Sequence, residues 1–249
     1  MRYLVLEASA SAASCALLEG ERVAGEFYVN IPQTHSQTLL PMAQELLRTC
    51  GVSPGDLDFF AVTRGPGSFT GLRIAIAAVK GMALAAGKPC VGVSTLEALA
   101  RNLAGFEGSA AAVMDARCAQ VYAGLFSLGG GGIQRLSEDE AVAIQDLAPR
   151  LAALEKPVFL VGDGARLCYN KLLENPPSGA DPRDWLRLAP PHLLFQRAAA
   201  AGAAALAAWE RGEGMDCGAL APVYLRLPQA QRELLRKAQD GKGAESTPN

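Results

Sequence analysis

The sequence predicts an α/β protein of two similarly built lobes, each a mixed sheet with helices on its faces. Three observations lead there. The element order βββ-α-β-α-β-α reads twice along the 249 residues. The first strand of each reading ends in an acid, Glu7 and then Asp115. A glycine turn at Gly65–Gly71 launches a helix, ending near Ala86, that is apolar almost all round. Three meandering strands followed by alternating helices and strands require a mixed sheet with helices packed against it. The halves share no matching sequence words, so what repeats is architecture. The boundary falls near 103–108, dividing residues 1–104 from 105–226, and 227–249 form a polar tail.

Residues 3–8, 14–19 and 22–29 alternate as three short strands between small or turn-prone residues. Thr34-His35-Ser36-Gln37 is a capped entry into a helix over 35–50, with Leu39, Leu40, Met42, Ala43, Leu46, Leu47 and Cys50 at helical spacing. Gly51 and Pro54-Gly55 stop it. Asp58–Thr63 is a strand running into the glycine turn, and the helix behind that turn ends at Gly87 and Pro89. Cys90–Val93 is a brief strand. Ser94-Thr95-Leu96-Glu97 starts a helix to about Leu103 as a capping box.

In the second half, Ser109–Met114, Gln120–Ser127 and Ile133–Leu136 are strands, the last two joined by Gly129–Gly132. Gln145–Leu154 is helical, Pro157–Val161 a strand, and Ala165–Leu173 helical after Gly162-Asp163-Gly164. Asn175–Asp184 is a Pro/Gly loop and Leu186–Leu188 a short strand. His192–Arg211 is an alanine-rich helix, alanine being the best helix former. The tail reads as disordered toward its end, with 229–239 helical in character.

Composition is ordinary for a globular chain: half hydrophobic, about a fifth charged, net charge −2. That is no basic nucleic-acid module acting alone. Met1-Arg2-Tyr3-Leu4-Val5-Leu6-Glu7 reaches an acid too early for a signal peptide. Arg73 and Lys80 interrupt the 68–86 helix, which argues against a bilayer span. The six cysteines show no Cys-x-x-Cys and read as reduced, mostly core thiols.

Several chemistries can be set against these residues. Gly65-x-Gly67-x-x-x-Gly71 at a strand–helix junction is the layout in which amides hold a phosphate. It lacks a following Gly-Lys-Ser/Thr, and it misses the dinucleotide spacing by one. The spacing favours the other reading, a turn with Ser68 as cap and Gly71 as a point of close approach. His35 and His192 are 157 positions apart with no ligand cluster, so no metal site is expected. No Gly-x-Ser-x-Gly elbow is present. Glu7 and Asp115, with Ser9, stand where a two-lobed ATPase places its cleft acids. Two readings of these acids stay open, cleft or structural, because no glycine follows either and Arg117 is placed to pair with Asp115. On the 68–86 helix, Leu72, Ile76, Val79 and Ala83 form a core stripe. The adjoining stripe of Arg73, Ala77, Lys80 and Leu84 lies beside Met42 and Leu46 of the preceding helix. An uncovered apolar stripe of that kind marks an interaction site.

Two such units side by side resemble the two-lobed actin-like ATPase (RNase H-like) fold. Six words make a closer resemblance: His35–Pro41, Gly65–Arg73, Lys80–Ala83, Ser94–Leu99, Met114–Arg117 and Pro222–Arg226. Collinear from residue 3 to about 226, they resemble the bacterial tRNA threonylcarbamoyladenosine biosynthesis family TsaB. The resemblance implies a non-catalytic subunit that pairs with a catalytic TsaD subunit, joined by the ATPase TsaE. Together these place threonylcarbamoyl on the adenosine beside the anticodon. It implies pairing through helices 35–50 and 68–86, with His35, Leu39, Met42, Leu46, Arg73, Ala77, Lys80 and Leu84 as contacts, and a homodimer by the same surface. No catalytic residue, metal or cofactor of its own is implied; ATP/ADP and metal belong to the partners, and tRNA is met through the complex. The setting implied is cytoplasmic, with no membrane contact. The family's usual Asp-Thr-Ser is here Glu7-Ala8-Ser9, which leaves Glu7, Ser9 and Asp115 as a vestigial nucleotide cleft. Competing readings are a stand-alone enzyme, either a glycoprotease-like peptidase or an ATP-dependent small-molecule kinase, and direct tRNA binding by Arg232, Arg236 and Lys237.

Overall fold

The computed structural model describes residues 1–130, 132–177 and 181–226. The first repeat is β1 (Arg2–Glu7), β2 (Ala13–Glu19), β3 (Arg22–Val29), α1 (His35–Cys50), β4 (Phe59–Gly65), α2 (Phe69–Ala86), β5 (Cys90–Ser94) and α3 (Thr95–Arg101). The second is β6 (Gly108–Asp115), β7 (Gln120–Gly129), β8 (Gly132–Arg135), β9 (Glu140–Ala143), α4 (Ile144–Ala152), β10 (Val158–Val161), α5 (Ala165–Glu174), α6 (Pro182–Trp185), β11 (Leu186–Leu188) and α7 (Ala198–Glu210). The sheets have the same strand order, β3-β2-β1-β4-β5 and β8-β7-β6-β10-β11. In each, the meander is antiparallel and the last two strands add in parallel. Each acid-tipped strand, β1 or β6, is therefore central. This duplicated order is the actin-like ATPase architecture.

Three elements depart from the sequence expectation. α6 forms at the end of the stretch that reads as a Pro/Gly loop, where Pro182 stands in its first turn and Asp181 caps it by accepting from the Arg183 amide. β9 lies where the sequence pattern marks no element between 136 and 145, four residues being too short to carry a period. It forms because β7 is ten residues long and β8 pairs only with its far end, Phe126–Gly129, leaving Gln120–Ala123 for β9. The alanine helix begins at Ala198, not His192, and Pro191–Leu193 make only a 3-10 turn. The intervening segment crosses from one lobe to the other. The Gly162 amide donates to the Leu194 carbonyl, and the fully buried Gln196 donates through Nε2 to Asp163. Its start is then fixed from afar: Ser14 Oγ accepts from the Ala198 amide at 2.9 Å and Glu26 Oε1 from the Ala199 amide at 3.0 Å. Thr34, expected to cap α1, makes no side-chain cap bond.

The core explains the spacing of the apolar residues. Leu39, Ala43 and Leu46 of α1 and Ala75, Ile76, Val79 and Ala83 of α2 pack on one face of the first sheet against Leu4, Leu6, Leu17, Phe60 and Val62. Burying each such large aliphatic or aromatic side chain contributes about 1.5–3 kcal/mol. The opposite face, carrying Tyr3, Val5, Phe59, Ala61 and Val91, is covered by α7, although α7 belongs to the second half of the chain. Tyr3, Phe59 and Trp209 stack in series with centroids 4.5 and 4.6 Å apart. α3 lies beside α7 but sends Leu96, Leu99 and Ala100 into the second core, joined by Leu103 in the turn after it. The 104/105 division separates the two sheets, while the helices between them cross it. Small residues permit this: a Cβ on Gly202 would stand 2.6 Å from Leu18 Cδ1.

Ser14→Ala removes a buried cap from α7 and should destabilise the protein by about 1 kcal/mol. The thermal midpoint should fall by roughly 2–4 °C in a chain of this size, readable by calorimetry.

Candidate partner face and interlobe cleft

The glycine turn proves to be a packing device. Ser68 caps α2 by accepting from the Gly71 amide at 3.3 Å, and its own amide donates to the Ser9 carbonyl at 2.7 Å. Two amides needed for a phosphate cradle are thus already committed. A Cβ on Gly71 would stand 2.0 Å from the Ala8 carbonyl oxygen, and one on Gly65, whose φ is 131°, would stand 2.2 Å from that of Val223. Glycine is required here for close approach of backbone.

α2 is covered on three sides. Leu72, Ala75, Ile76, Val79 and Ala83 are buried against the sheet side, and α1 lies alongside. By length and composition α2, with mean hydropathy 1.5 over 18 residues, is apolar enough to cross a membrane despite Arg73 and Lys80. Here that apolarity serves the sheet. The third side is taken by the chain's own Met215–Arg226 segment. Lys80 Nζ donates to the carbonyls of Gly218 and Leu220, both at 3.2 Å. Arg73 Nε donates to Tyr224 Oη at 2.9 Å, and Tyr224 stacks on Phe69 at 4.4 Å.

This sorts the eight expected contact residues. Leu39 and Leu46 are each 1 % exposed and belong to the intramolecular core, a correction that follows from their pointing at the sheet rather than outward. Met42 is half-buried against the same core. His35 is half-buried, its Nε2 bonded to the Ala10 carbonyl at 2.7 Å. Arg73 and Lys80 are engaged by the C-terminal segment. Ala77 and Leu84 are open, Leu84 at 74 % exposure, with Gly81 and Ala85 exposed between and beside them. Leu40 of α1, not singled out from the sequence, is 40 % exposed.

The cleft residues fare differently. Glu7 and Ser9 come together and are fully buried: Glu7 Oε1 accepts from the Ser9 amide and hydroxyl, both at 2.6 Å. Glu7 Oε2 has no partner among the described residues. Burial pushes its pKa up, outweighing Ser9, Thr63 and His35, which favour the charge. Asp115, in the other lobe, accepts from the Arg117 amide at 2.7 Å, with the Arg117 guanidinium 3.9 Å away. Its neighbour Asp163, read from the sequence only as part of a turn, is the second acid at this strand end. Burial pushes its pKa up as well. A cavity of about 480 Å³ opens elsewhere between the lobes, lined by Arg64, Ser94, Glu97, Arg135, Asp139 and Arg211 among others, and by none of Glu7, Ser9 and Asp115. Arg135 pairs there with Asp139 and Glu97, joining α3 to the β8–β9 connection.

The family model for TsaD, tRNA N6-adenosine threonylcarbamoyltransferase, matches residues 30–171. The tRNA threonylcarbamoyladenosine biosynthesis protein TsaB of Bacillus subtilis is 32 % identical over 175 residues, 70 % of this chain and 76 % of that protein. TsaB of Escherichia coli K12 is 37 % identical over 167 residues, 66 % of this chain and 72 % of that protein. Among solved structures, YeaZ from Pseudomonas aeruginosa superposes with a TM-score of 0.74 at 35 % identity, covering 90 % of this chain and 99 % of that one.

The raised pKa of Glu7 fixes the sign of a pH effect. The folded protein holds the proton more tightly than the unfolded chain. The contribution to stability is therefore complete below the unfolded value of 4.5 and is lost as pH rises through the higher folded value. Glu7→Gln removes this dependence. In urea titrations from acid to neutral pH, the stability of the wild type relative to Glu7→Gln should decline as pH rises. A difference that grows with pH would contradict the raised pKa of the buried carboxyl.

Proposed function

This chain belongs to the family described by the TsaD model and, within it, to the TsaB proteins of tRNA threonylcarbamoyladenosine biosynthesis, and on that basis we propose that it is a non-catalytic subunit of the modifying complex. A role in forming the modified adenosine follows from the relatives' shared naming. The observation that carries the subunit reading is the exposed side of α2. Its other three sides are covered from within, and the fourth presents Ala77, Gly81, Leu84 and Ala85 to solvent, with the exposed Arg73 and Thr70 toward the helix start. Small residues around one large apolar side chain let a partner helix come close, and an uncovered apolar surface marks an interaction site. The partner assigned is the TsaD-type transferase, with a TsaE-type ATPase joining and a homodimer through the same side in its absence. Nucleotide, metal and tRNA contact are assigned to the assembly, in the cytoplasm. Glu7 supports a site that has lost its own chemistry: a carboxyl sealed at the end of β1, its pKa raised by burial, is poorly placed to balance a cation.

Ala77→Asp with Leu84→Asp tests the assignment, because both positions are exposed and the fold should tolerate them. Titrated against a cognate TsaD by calorimetry, the double variant should lose about a hundredfold or more in affinity, as expected for unpaired charges buried at an interface. Unchanged binding would place the partner elsewhere. In a reconstituted reaction, formation of the modified nucleoside should depend on this chain and fail with the double variant.

A further inference from the structure

After α7 the chain runs back across the molecule as Met215–Arg226, outside both sheets yet in contact with both lobes. It begins as a single antiparallel bridge on the edge of the first sheet, where Met215 and Cys90 exchange amide–carbonyl bonds of 2.8 and 2.9 Å. Leu220 is 1 % exposed in the first core, and Lys80 holds the carbonyls on either side of Ala219. The Val223 amide donates to the Arg64 carbonyl at 2.7 Å, beside the close approach that makes Gly65 a glycine. Three successive residues then change lobes. Tyr224 is clasped by Phe69 and Arg73 at the start of α2, with the Arg73 guanidinium 5.7 Å from its ring centroid. Leu225 packs on the second core. Arg226 Nη1 donates to the carbonyl of Ala116, in the β6–β7 turn.

We propose that Met215–Arg226 is an interlobe latch, in which Tyr224 and Arg226 tie the start of α2 to the β6–β7 turn and fix the angle between the lobes. Two residues of extended chain span at most about 7 Å, so the two anchors move together or one lets go. The far anchor holds an unusual piece of backbone. Arg117, Cys118 and Ala119 are consecutive non-glycine residues at φ 67°, 55° and 56°, a conformation that persists where surrounding contacts determine it. Arg226 supplies such a contact from outside the turn. Val223 and Leu225 also wall the 480 Å³ cavity, so the latch closes one side of the space between the lobes. This assignment is independent of the partner reading, because both anchors lie within the chain.

Amide hydrogen exchange on the full-length protein alone tests it. Tyr224→Ala removes only the first-lobe anchor, and Arg226→Ala only the second-lobe one. A latch predicts crossed effects. Tyr224→Ala should speed exchange about tenfold at residues 116–120, which Tyr224 does not touch, and Arg226→Ala should do the same at residues 69–73, by the reciprocity of coupled sites. Faster exchange confined to the neighbourhood of each substituted residue would overturn the proposal and leave two separate local contacts. Tyr224→Phe keeps the ring on Phe69 and loses only the Arg73 bond, and Arg226→Lys shortens the reach to Ala116. If either alanine variant fails to fold, the same crossed or uncrossed pattern in these two variants decides the matter.

Discussion

Each of the two sheets must be covered on both faces, and neither half of the chain carries enough helix to cover its own. The first half lays α1 and α2 on one face of its sheet and leaves Tyr3, Val5, Phe59, Ala61 and Val91 bare on the other. α7, from the far end of the second half, covers them, while α3 passes most of its apolar side chains to the second core. The lobes are therefore held together by exchanged helices rather than by a linker. A helix built almost wholly of alanine suits that place, because its thin surface brings two β-sheets close without loss of helix propensity. Its cap comes from Ser14 and Glu26 of the other half, so the helix start is itself an interlobe contact.

The same economy shapes α2. An all-round apolar helix has to be covered on several sides, and three covers come from this chain: sheet, neighbouring helix and returning C-terminal segment. Arg73 and Lys80, which the sequence places on the docking stripe with Ala77 and Leu84, also hook that segment, Arg73 while remaining exposed. Between them and beyond lie the exposed Ala77, Gly81, Leu84 and Ala85.

The acids at the strand ends show how far the skeleton and the chemistry of a fold can separate. β1 and β6 occupy matched central positions in their sheets, so Glu7 and Asp115 are equivalent by topology. Their surroundings differ. Glu7 turns back onto Ser9 and is sealed in the first lobe, whereas Asp115 stays at the rim of a tight turn beside Arg117 and close to Asp163. Topology thus matches the two acids in position, while burial raises the pKa of Glu7 and leaves Asp115 at the rim of its turn.

Local pattern was enough for most elements. The period of α1, the Ser68 cap and glycine stop of α2, the Ser94 cap of α3 and the meander of β1–β3 all rest on residues a few positions apart, and they were legible from the sequence alone. The duplicated architecture was legible for the same reason, and so was the core stripe of α2. Where the deciding contact is distant, the sequence was silent or misleading. β9 exists only because β7 has unpaired length, and α7 starts where residues more than 170 positions away meet its amides. Leu39 and Leu46 belong to the apolar set that the spacing of α1 marks, and the sheet takes them fully, leaving neither for a partner. Arg73 and Lys80 are occupied by carbonyl and phenol groups over 130 positions further on. Short-range periodicity and capping select helix or strand. Which side of each element stays open to a partner is a property of everything packed around it, and only the assembled chain decides that.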